Sequence, residues 1–295
     1  MAESNDLLKI IDEKMSGLSK GQKRIANFLK EHYDNAVYLT ASKLGEIAGV
    51  SESTVVRFAI ELGFDGYPKL QEALQELVKN ELTASQRMKV SSDRIAKTDK
   101  HILKTVLESD SARISATLEN INQREFDEAV DYIVNAKRVY IVGGRSSSAL
   151  SHFFDFYLNL KRDNVINAST GAVTETFEHI FRIEEGDLLI GISFPRYSNK
   201  TVKAMEYAYN QGAKTIAITD GKFSPMVKSA TVGLIARSDM VSFVDSLVAP
   251  LSLINAILVS ISMNRKDKIV DSLDKLERMW GEYQVYSSTN LKKYL

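Results

Sequence analysis

Residues 40–58 read TASKLGEIAGVSESTVVRF, and this stretch predicts two short helices joined by a tight turn. Gly49 is expected to end the first helix, because glycine adopts the left-handed backbone that a sharp helix end requires. Val50 is expected to bury in the elbow between the two helices. Ser51 then takes the N-cap position of the second helix, where a hydroxyl can accept a backbone N–H. The stretch therefore predicts a helix-turn-helix unit.

The second helix of this unit has an apolar inner face and a polar outer face. The inner residues recur at three- and four-residue spacing: Val55, Phe58 and Leu62. The outer residues are Glu52, Ser53, Thr54 and Arg57. A helix that enters the major groove reads bases with its N-terminal residues, so the outer side chains are the predicted base readers. Two helices joined by a tight turn also occur in protein-binding domains, and the pattern alone leaves that alternative open.

The charge of the chain limits how it can bind nucleic acid. Basic and acidic residues each number 38, which excludes a broadly basic coat protein but allows a local basic face. Residues 1–90 hold twelve Lys/Arg and thirteen Asp/Glu, so they carry no net positive charge. A basic face therefore requires that basic residues cluster on one side of this domain. Its candidate members are Lys20, Lys23, Arg24, Lys43, Arg57 and Lys69. The predicted DNA-binding set as a whole is Lys43, Ser51, Glu52, Ser53, Thr54, Arg57 and Lys69.

The length of 295 residues is about twice that of a usual single domain, and the composition changes along the chain accordingly. Residues 1–80 predict short helices only, with a capping box in which Ser19 and Gln22 bond each other's backbone. Residues 81–99 are polar and poor in large apolar side chains, and they predict a linker. Residues 100–295 predict a second domain that ends in a helical tail.

The second domain alternates continuous apolar strands with amphipathic helices. The predicted strands are Val139–Val142, Leu188–Ile192, Thr215–Ile218 and Val232–Ile235. Helical stretches lie between them, for example at 146–160 and 198–211. Apolar strands without alternation are typical of a parallel sheet that is covered on both faces. The predicted fold class is therefore an all-α helix-turn-helix domain followed by a doubly wound α/β domain.

Two serine-rich turns, GGRSSS at 143–148 and SFPRYSNKT at 193–201, each follow a predicted strand and open a helix. Helix N-termini and glycine turns favour anions, and an open α/β sheet binds its ligand at the carboxyl ends of its strands. The predicted ligand-binding residues are Gly143, Arg145, Ser146, Ser147, Ser193, Arg196, Ser198 and Thr201. The alternative is that Ser146 and Ser198 only cap helices.

Residues 39–74, from LTASKLGEIAGV to GYPKLQEAL, resemble the N-terminal domain of the RpiR/MurR family of bacterial transcriptional regulators. Leu18 to Ala26 fit the preceding helix of that family. Such proteins carry a C-terminal SIS (sugar isomerase) domain, a doubly wound α/β sandwich, and the resemblance covers essentially the whole chain. It implies a regulator that binds double-stranded operator DNA and senses an anionic, sugar-phosphate-like metabolite.

The two serine turns depart from the commonest SIS pattern at two positions. The glycine-x-glycine-x-serine turn reads Gly143-x-Arg145-x-Ser147, and the serine-x-serine-glycine turn reads Ser193-Phe-Pro-Arg196. Two arginines thus replace two glycines. Guanidinium forks bind carboxylate or phosphate through two parallel hydrogen bonds, so we expect an anionic small ligand held partly by side chains.

Other chemistry finds little support in the sequence. The chain has no cysteine, and its four histidines have no metal-ligand spacing, so we expect neither a cofactor nor a metal. A phosphosugar isomerase with an accessory helical interaction domain is the alternative function. It would need an acid–base pair beside the serine turns, and Glu175, Glu178 and His179 have no evident place there.

The remaining expectations concern location and assembly. The apolar stretch Phe243–Met263 is interrupted by Asp245 and Pro250, so it predicts a buried helix or a subunit contact instead of a membrane span. The N-terminus lacks a signal-peptide pattern, and we expect a cytosolic protein. Operators read by helix-turn-helix proteins are usually two-fold, so we expect a homodimer or homotetramer.

Overall fold

The computed structural model describes residues 4–37, 39–81, 85, 88, 101–222, 224–238, 244–264 and 266–285. The chain divides into two compact units, Met1–Thr98 and Asp99–Leu295. The predicted linker at 81–99 lies, except for residues 81, 85 and 88, outside the described residues.

The described part of the first unit is helical. Its helices are α1 (Ser4–Lys14), α2 (Lys20–Ala36), α3 (Ala41–Ala48), α4 (Glu52–Glu61) and α5 (Tyr67–Glu81). The capping box at the start of α2 is confirmed, because the Ser19 N–H donates to Gln22 Oε1 at 2.9 Å and the Gln22 N–H donates to Ser19 Oγ at 3.4 Å. One apolar core joins the helices, and it includes the predicted inner residues Val55, Phe58 and Leu62.

The second unit is a five-stranded parallel sheet with helices on both faces. Its strands are β1 (Val139–Gly143), β2 (Val165–Asn167), β3 (Leu188–Ile192), β4 (Lys214–Thr219) and β5 (Val232–Ile235). Its helices are α6 (Ile102–Asn120), α7 (Gln123–Asn135), α8 (Ser147–Asn159), α9 (Val173–Ile180), α10 (Asn199–Asn210), α11 (Val248–Asn264) and α12 (Lys266–Glu282). The strand order β2-β1-β3-β4-β5 confirms the predicted doubly wound fold.

Strand residues alternate between two apolar cores, one on each face of the sheet. Val139 and Ile141 pack with α7, α8 and α11, whereas Tyr140 and Val142 pack with α9 and α10. Every residue of β1 and β3 is buried, which explains their continuous apolar sequences. The chain runs from β1 through α8 to β2 and from β3 through α10 to β4, in opposite directions along the sheet. The neighbouring strands β1 and β3 therefore border the switch point, where such folds bind ligands.

Two elements differ from the prediction. Strand β2 is missed by the sequence analysis, because it has only three residues and all three are half-buried. The predicted apolar helix 243–263 begins too early: α11 starts at Val248, and residues 244–247 are not helical. Pro250 then lies in the first turn of α11, where its missing N–H leaves no helical bond unmade. Phe243 lies outside the described residues. Among the described helices, none is both long and apolar enough to cross a membrane.

Candidate functional site

The turn between α3 and α4 has the geometry that the sequence predicts, and a second glycine supports it. Gly49 ends α3 with φ 65° and ψ 41°, in the left-handed region. The Val50 N–H donates to the carbonyl oxygen of Gly45 at 2.8 Å. A Cβ atom on Gly45 would lie only 2.8 Å from the Val50 oxygen, so the close approach of the turn to α3 requires glycine there. The Arg24 guanidinium donates to the Gly49 oxygen at 2.7 Å and holds the turn from α2.

Ser51 has the backbone of an N-cap residue, with φ −72° and ψ 154°, but its side chain caps no backbone N–H. Its hydroxyl lies instead 2.9 Å from both Ser53 Oγ and Thr54 Oγ1. The expected cap hydrogen bond of Ser51 is therefore wrong, because neighbouring hydroxyls engage the same oxygen. The N-terminus of α4 consequently has no cap from this side chain, and a helix N-terminus with open amides favours anions such as phosphate.

Most of the predicted base readers lie on the exposed face of α4. Glu52, Ser53 and Arg57 are exposed, and together with Val56 they line one shallow hollow. The Arg57 Nε–H donates to the Ser53 carbonyl at 3.2 Å, which directs the guanidinium along the helix. Thr54 is half-buried and bonds to Ser51, so it is less accessible than the other three.

Two predicted lysines pair with acids on their own helices. Lys43 lies 2.7 Å from Glu46, and Lys69 lies 2.8 Å from Glu72. All four side chains are exposed, and exposed ion pairs of this kind contribute between about 0 and 1 kcal/mol. Both lysines can therefore exchange a carboxylate for a phosphate at little cost. Arg24, in contrast, already bonds to the Gly49 carbonyl.

The two serine turns meet at the carboxyl edge of the sheet. Strands β1 and β3 pair in register with Gly143 opposite Ile192, so the turns that follow them are neighbours. A Cβ atom on Gly144 would lie 2.6 Å from Ser198 Oγ and 2.8 Å from Ser198 Cβ. Gly144 must therefore be glycine for the two turns to pack, a requirement that the sequence analysis did not identify.

Hydroxyl groups cluster around this contact. The Ser198 N–H donates to Ser193 Oγ at 3.0 Å, and the Thr201 N–H donates to Ser198 Oγ at 3.5 Å. Ser198 is thus an N-cap of α10, as the alternative interpretation expects. Ser146 makes no such bond and is exposed, whereas Ser147 is buried. The Thr201 hydroxyl is buried and has no hydrogen-bond partner in the part of the chain that the structure describes. It lies 3.5 Å from where a Gly144 Cβ would be, at the meeting point of the turns.

Two family models match the chain in the order that the sequence suggests. The model of the helix-turn-helix domain of the rpiR family matches residues 5–81, and the model of the SIS domain matches residues 132–260. Between them they contain the helix-turn-helix unit and both serine turns. The chain belongs to the RpiR family. Its helix-turn-helix domain, its SIS domain and its similarity to HTH-type transcriptional regulators identify it as a transcriptional regulator.

Several known proteins are similar to this RpiR-family chain. HexR, an HTH-type transcriptional regulator of Pseudomonas aeruginosa, is 25% identical over 272 residues, which are 88% of this chain and 90% of HexR. The sugar isomerase domain of an RpiR transcription factor from Sphaerobacter thermophilus has 26% identity and a TM-score of 0.57, and covers 61% of this chain and 99% of its own. NanR of Vibrio vulnificus, solved with ManNAc-6P, has 19% identity and a TM-score of 0.60 over 96% of this chain and 100% of its own. The NanR similarity shows a shared fold.

The two arginines that depart from the SIS pattern both have a left-handed backbone. Arg145 has φ 56° and Arg196 has φ 49°, values that glycine adopts freely and arginine adopts at a cost of about 1–2 kcal/mol. Both side chains are exposed, and neither guanidinium has an ion pair or hydrogen bond with another described residue. In this RpiR-family chain an arginine therefore stands at each of two backbone positions that favour glycine.

Four further side chains support the turns and were not predicted. The Tyr197 hydroxyl donates to Oδ1 of Asp220 at 2.8 Å, and Asp220 is buried at the end of β4. The Gly143 N–H donates to Ser169 Oγ at 2.8 Å. The Lys200 ammonium donates to the carbonyl of Thr170. Burial lowers the pKa of Lys200, and the Glu175 carboxylate partly offsets that effect. The signal for Asp220 was its place two residues after the predicted strand Thr215–Ile218.

Proposed function

We propose that this RpiR-family regulator binds operator DNA with the exposed face of α4 and responds to an anionic, sugar-phosphate-like metabolite held where the two serine turns meet. Residues 1–80 form the reading domain in this proposal, 81–99 the linker, and 100–295 the sensing domain with its helical tail. The observation that carries the sensing role is the contact of Gly144 with Ser198 beside the Thr201 hydroxyl, which is buried and has no hydrogen-bond partner among the described residues.

The DNA arm of the proposal assigns different tasks to the predicted residues. Exposed side chains at the start of a groove-entering helix contact base edges, and this favours Glu52, Ser53 and Arg57 as readers. Ser51 and Thr54, whose hydroxyls bond each other, and the lysines at 43 and 69 are then phosphate contacts, which position the protein without reading sequence. A regulator of chromosomal DNA acts in the cytoplasm, and we include that location in the proposal.

The effector arm rests on the charge and the hydroxyls around the two turns. An anion between the N-termini of α8 and α10 would meet two helix dipoles, the Thr201 hydroxyl and the side chains of Arg145 and Arg196. Two guanidinium groups that have no partner among the described residues favour a dianion over a monoanion. NanR, which has the same fold, was solved with a sugar phosphate, and this supports the same chemical class for the effector here.

The proposal includes a homodimer or homotetramer to which the α/β domains contribute. Helix α6 carries a stripe of exposed apolar side chains within about 60° of each other at 100° per residue: Leu103, Leu107, Ile114 and Leu118. Helices α11 and α12 expose further large apolar side chains, among them Val259, Met263, Leu273 and Met279. Contiguous apolar stripes are rare on soluble monomers, so a second copy is the expected cover of the α6 stripe. Sedimentation of a monomer at micromolar concentration would contradict this part.

One experiment tests both arms. Small molecules that co-purify with the protein are identified by mass spectrometry, and the purified protein is titrated by calorimetry with a panel of sugar monophosphates and bisphosphates. The same compounds are added to gel-shift reactions with the promoter of the protein's own operon. The proposal predicts a specific duplex complex whose affinity one phosphorylated compound changes. Binding of a phosphosugar without any specific DNA complex would contradict the regulatory function.

A further inference from the structure

The outer face of α4 carries two aliphatic side chains among the predicted readers. At 100° per residue, Val56 and Ile60 lie between Glu52 on one side and Arg57 on the other. Val56 is half-buried, and Ile60 is 58% exposed. The hollow on this face is lined by Val56 together with Glu52, Ser53 and Arg57. Two aliphatic side chains therefore share this outer face with the polar readers.

The side chain of Val56 has two different surroundings. Part of its side chain packs against the core of the first unit, and the rest opens into the hollow beside three polar readers. Val55, its neighbour in sequence, is by contrast fully buried in that core. In the major groove, the thymine C5-methyl group is the one apolar feature on a base edge, and aliphatic side chains recognise it by contact.

We propose that Val56 reads a thymine of the operator half-site through contact with its C5-methyl group. This inference rests on the proposed DNA-binding function and adds a specificity-determining residue to it. Val56 is the fifth residue of α4, within the N-terminal part of the helix that reaches base edges. Ile60 lies one turn further along, at the end of the helix that is more distant from the groove in such docking.

The probe is an operator duplex in which single thymines are replaced by deoxyuridine, which removes only the methyl group. The operator is first selected from random duplexes with the full-length protein. Affinities for thymine and deoxyuridine versions are then compared by fluorescence anisotropy at each position. We expect one thymine per half-site whose replacement weakens binding about four-fold, the loss for one buried methyl group.

Two matched variants assign the effect to Val56. Val56→Thr retains one γ-methyl group and Val56→Ser retains none, while both introduce the same hydroxyl. Val56→Thr should therefore keep the preference for thymine over deoxyuridine, and Val56→Ser should bind both duplexes equally. Val173→Ala, which shortens an exposed valine of the second unit, should behave as the wild type.

The possible outcomes distinguish a failure of this inference from a failure of the proposed DNA-binding function. A wild-type protein that selects an operator but responds to no thymine methyl group overturns the role of Val56, even if the variants fail to fold. An effect that persists unchanged in Val56→Ser overturns it as well. Failure of the wild type to select any duplex would instead contradict DNA binding itself.

Discussion

Both units have turns with a left-handed backbone position, but the residues at those positions differ. In the first unit, the left-handed position that ends α3 is Gly49, with φ 65°. In the second unit, the left-handed positions of the two serine turns are Arg145 and Arg196, with φ 56° and 49°. Gly49 has no side chain, so it contributes only its backbone to the turn. Arginine at the other two keeps a strained backbone, and the strain is expected where a side chain is needed for function.

The largest expected effect comes from removing both arginines. Each charge-assisted contact contributes about 1.5–3 kcal/mol, so Arg145→Ala with Arg196→Ala should weaken effector binding by about 3–6 kcal/mol if the two contributions add. Calorimetric titration with the co-purified metabolite measures this. Wild-type affinity in the double variant would mean that the arginines point away from the ligand and that the serine turns are helix caps only.

A smaller loss of effector affinity is expected when lysine replaces an arginine, because the positive charge is kept and the two-pronged guanidinium group is lost. Arg196→Lys should reduce effector affinity by about ten-fold, since an ammonium group cannot form two parallel bonds to one phosphate. Effector-free operator binding should stay nearly unchanged, because α4 belongs to the other unit. A gel shift of the same variant tests this. Equal loss of effector response and effector-free DNA binding would argue for general damage to the protein.

In the first unit, the side chain to remove is Arg57. Arg57→Ala should cost about 1–3 kcal/mol in operator affinity, whether the guanidinium contacts a base or a phosphate. Base substitutions at each operator position distinguish the two. If Arg57 contacts a base, the variant loses its preference at one position; if Arg57 contacts a phosphate, the variant keeps the wild-type preference at every position. The circular dichroism of the variant is the control. A folded variant with wild-type affinity would remove Arg57 from the interface.

The smallest effects concern stability, and their signs should be opposite in the two units. Gly49→Ala should destabilise by about 1–2 kcal/mol, because alanine is strained at this φ. Arg196→Gly relieves similar strain of about 1–2 kcal/mol, and the entropy of glycine in the unfolded chain takes back about 0.5–1 kcal/mol. A net gain of between about 0 and 1.5 kcal/mol remains. Urea denaturation measures both changes, and destabilisation by Arg196→Gly would contradict the functional reading of the strain.

Local chemistry made parts of the molecule predictable from the sequence. The capping box of α2, the turn at Gly49 and four of the five strands depend on neighbouring residues or continuous apolar runs, and all are found. Strand β2 depends on pairing with β1, because its three half-buried residues carry little signal of their own.

The candidate sites depended more on tertiary contacts. The need for glycine at 144 arises from Ser198, which is 54 residues away in sequence. The bond between Tyr197 and Asp220 likewise joins the ends of two strands. The hydroxyl of Ser51 was misassigned because two partners competed with the backbone for it. Each of these features needs the positions of residues that no local pattern brings together.

The most direct test combines function and stability in one variant, Arg196→Gly. This change restores the glycine of the commonest SIS turn and removes one of the two guanidinium groups that are proposed to bind the effector. We predict a protein that is slightly more stable to urea, binds its operator as the wild type does, and has lost ten-fold or more in calorimetric affinity for the co-purified metabolite. Undiminished effector affinity in this variant would contradict the assignment of the anion pocket to the two serine turns.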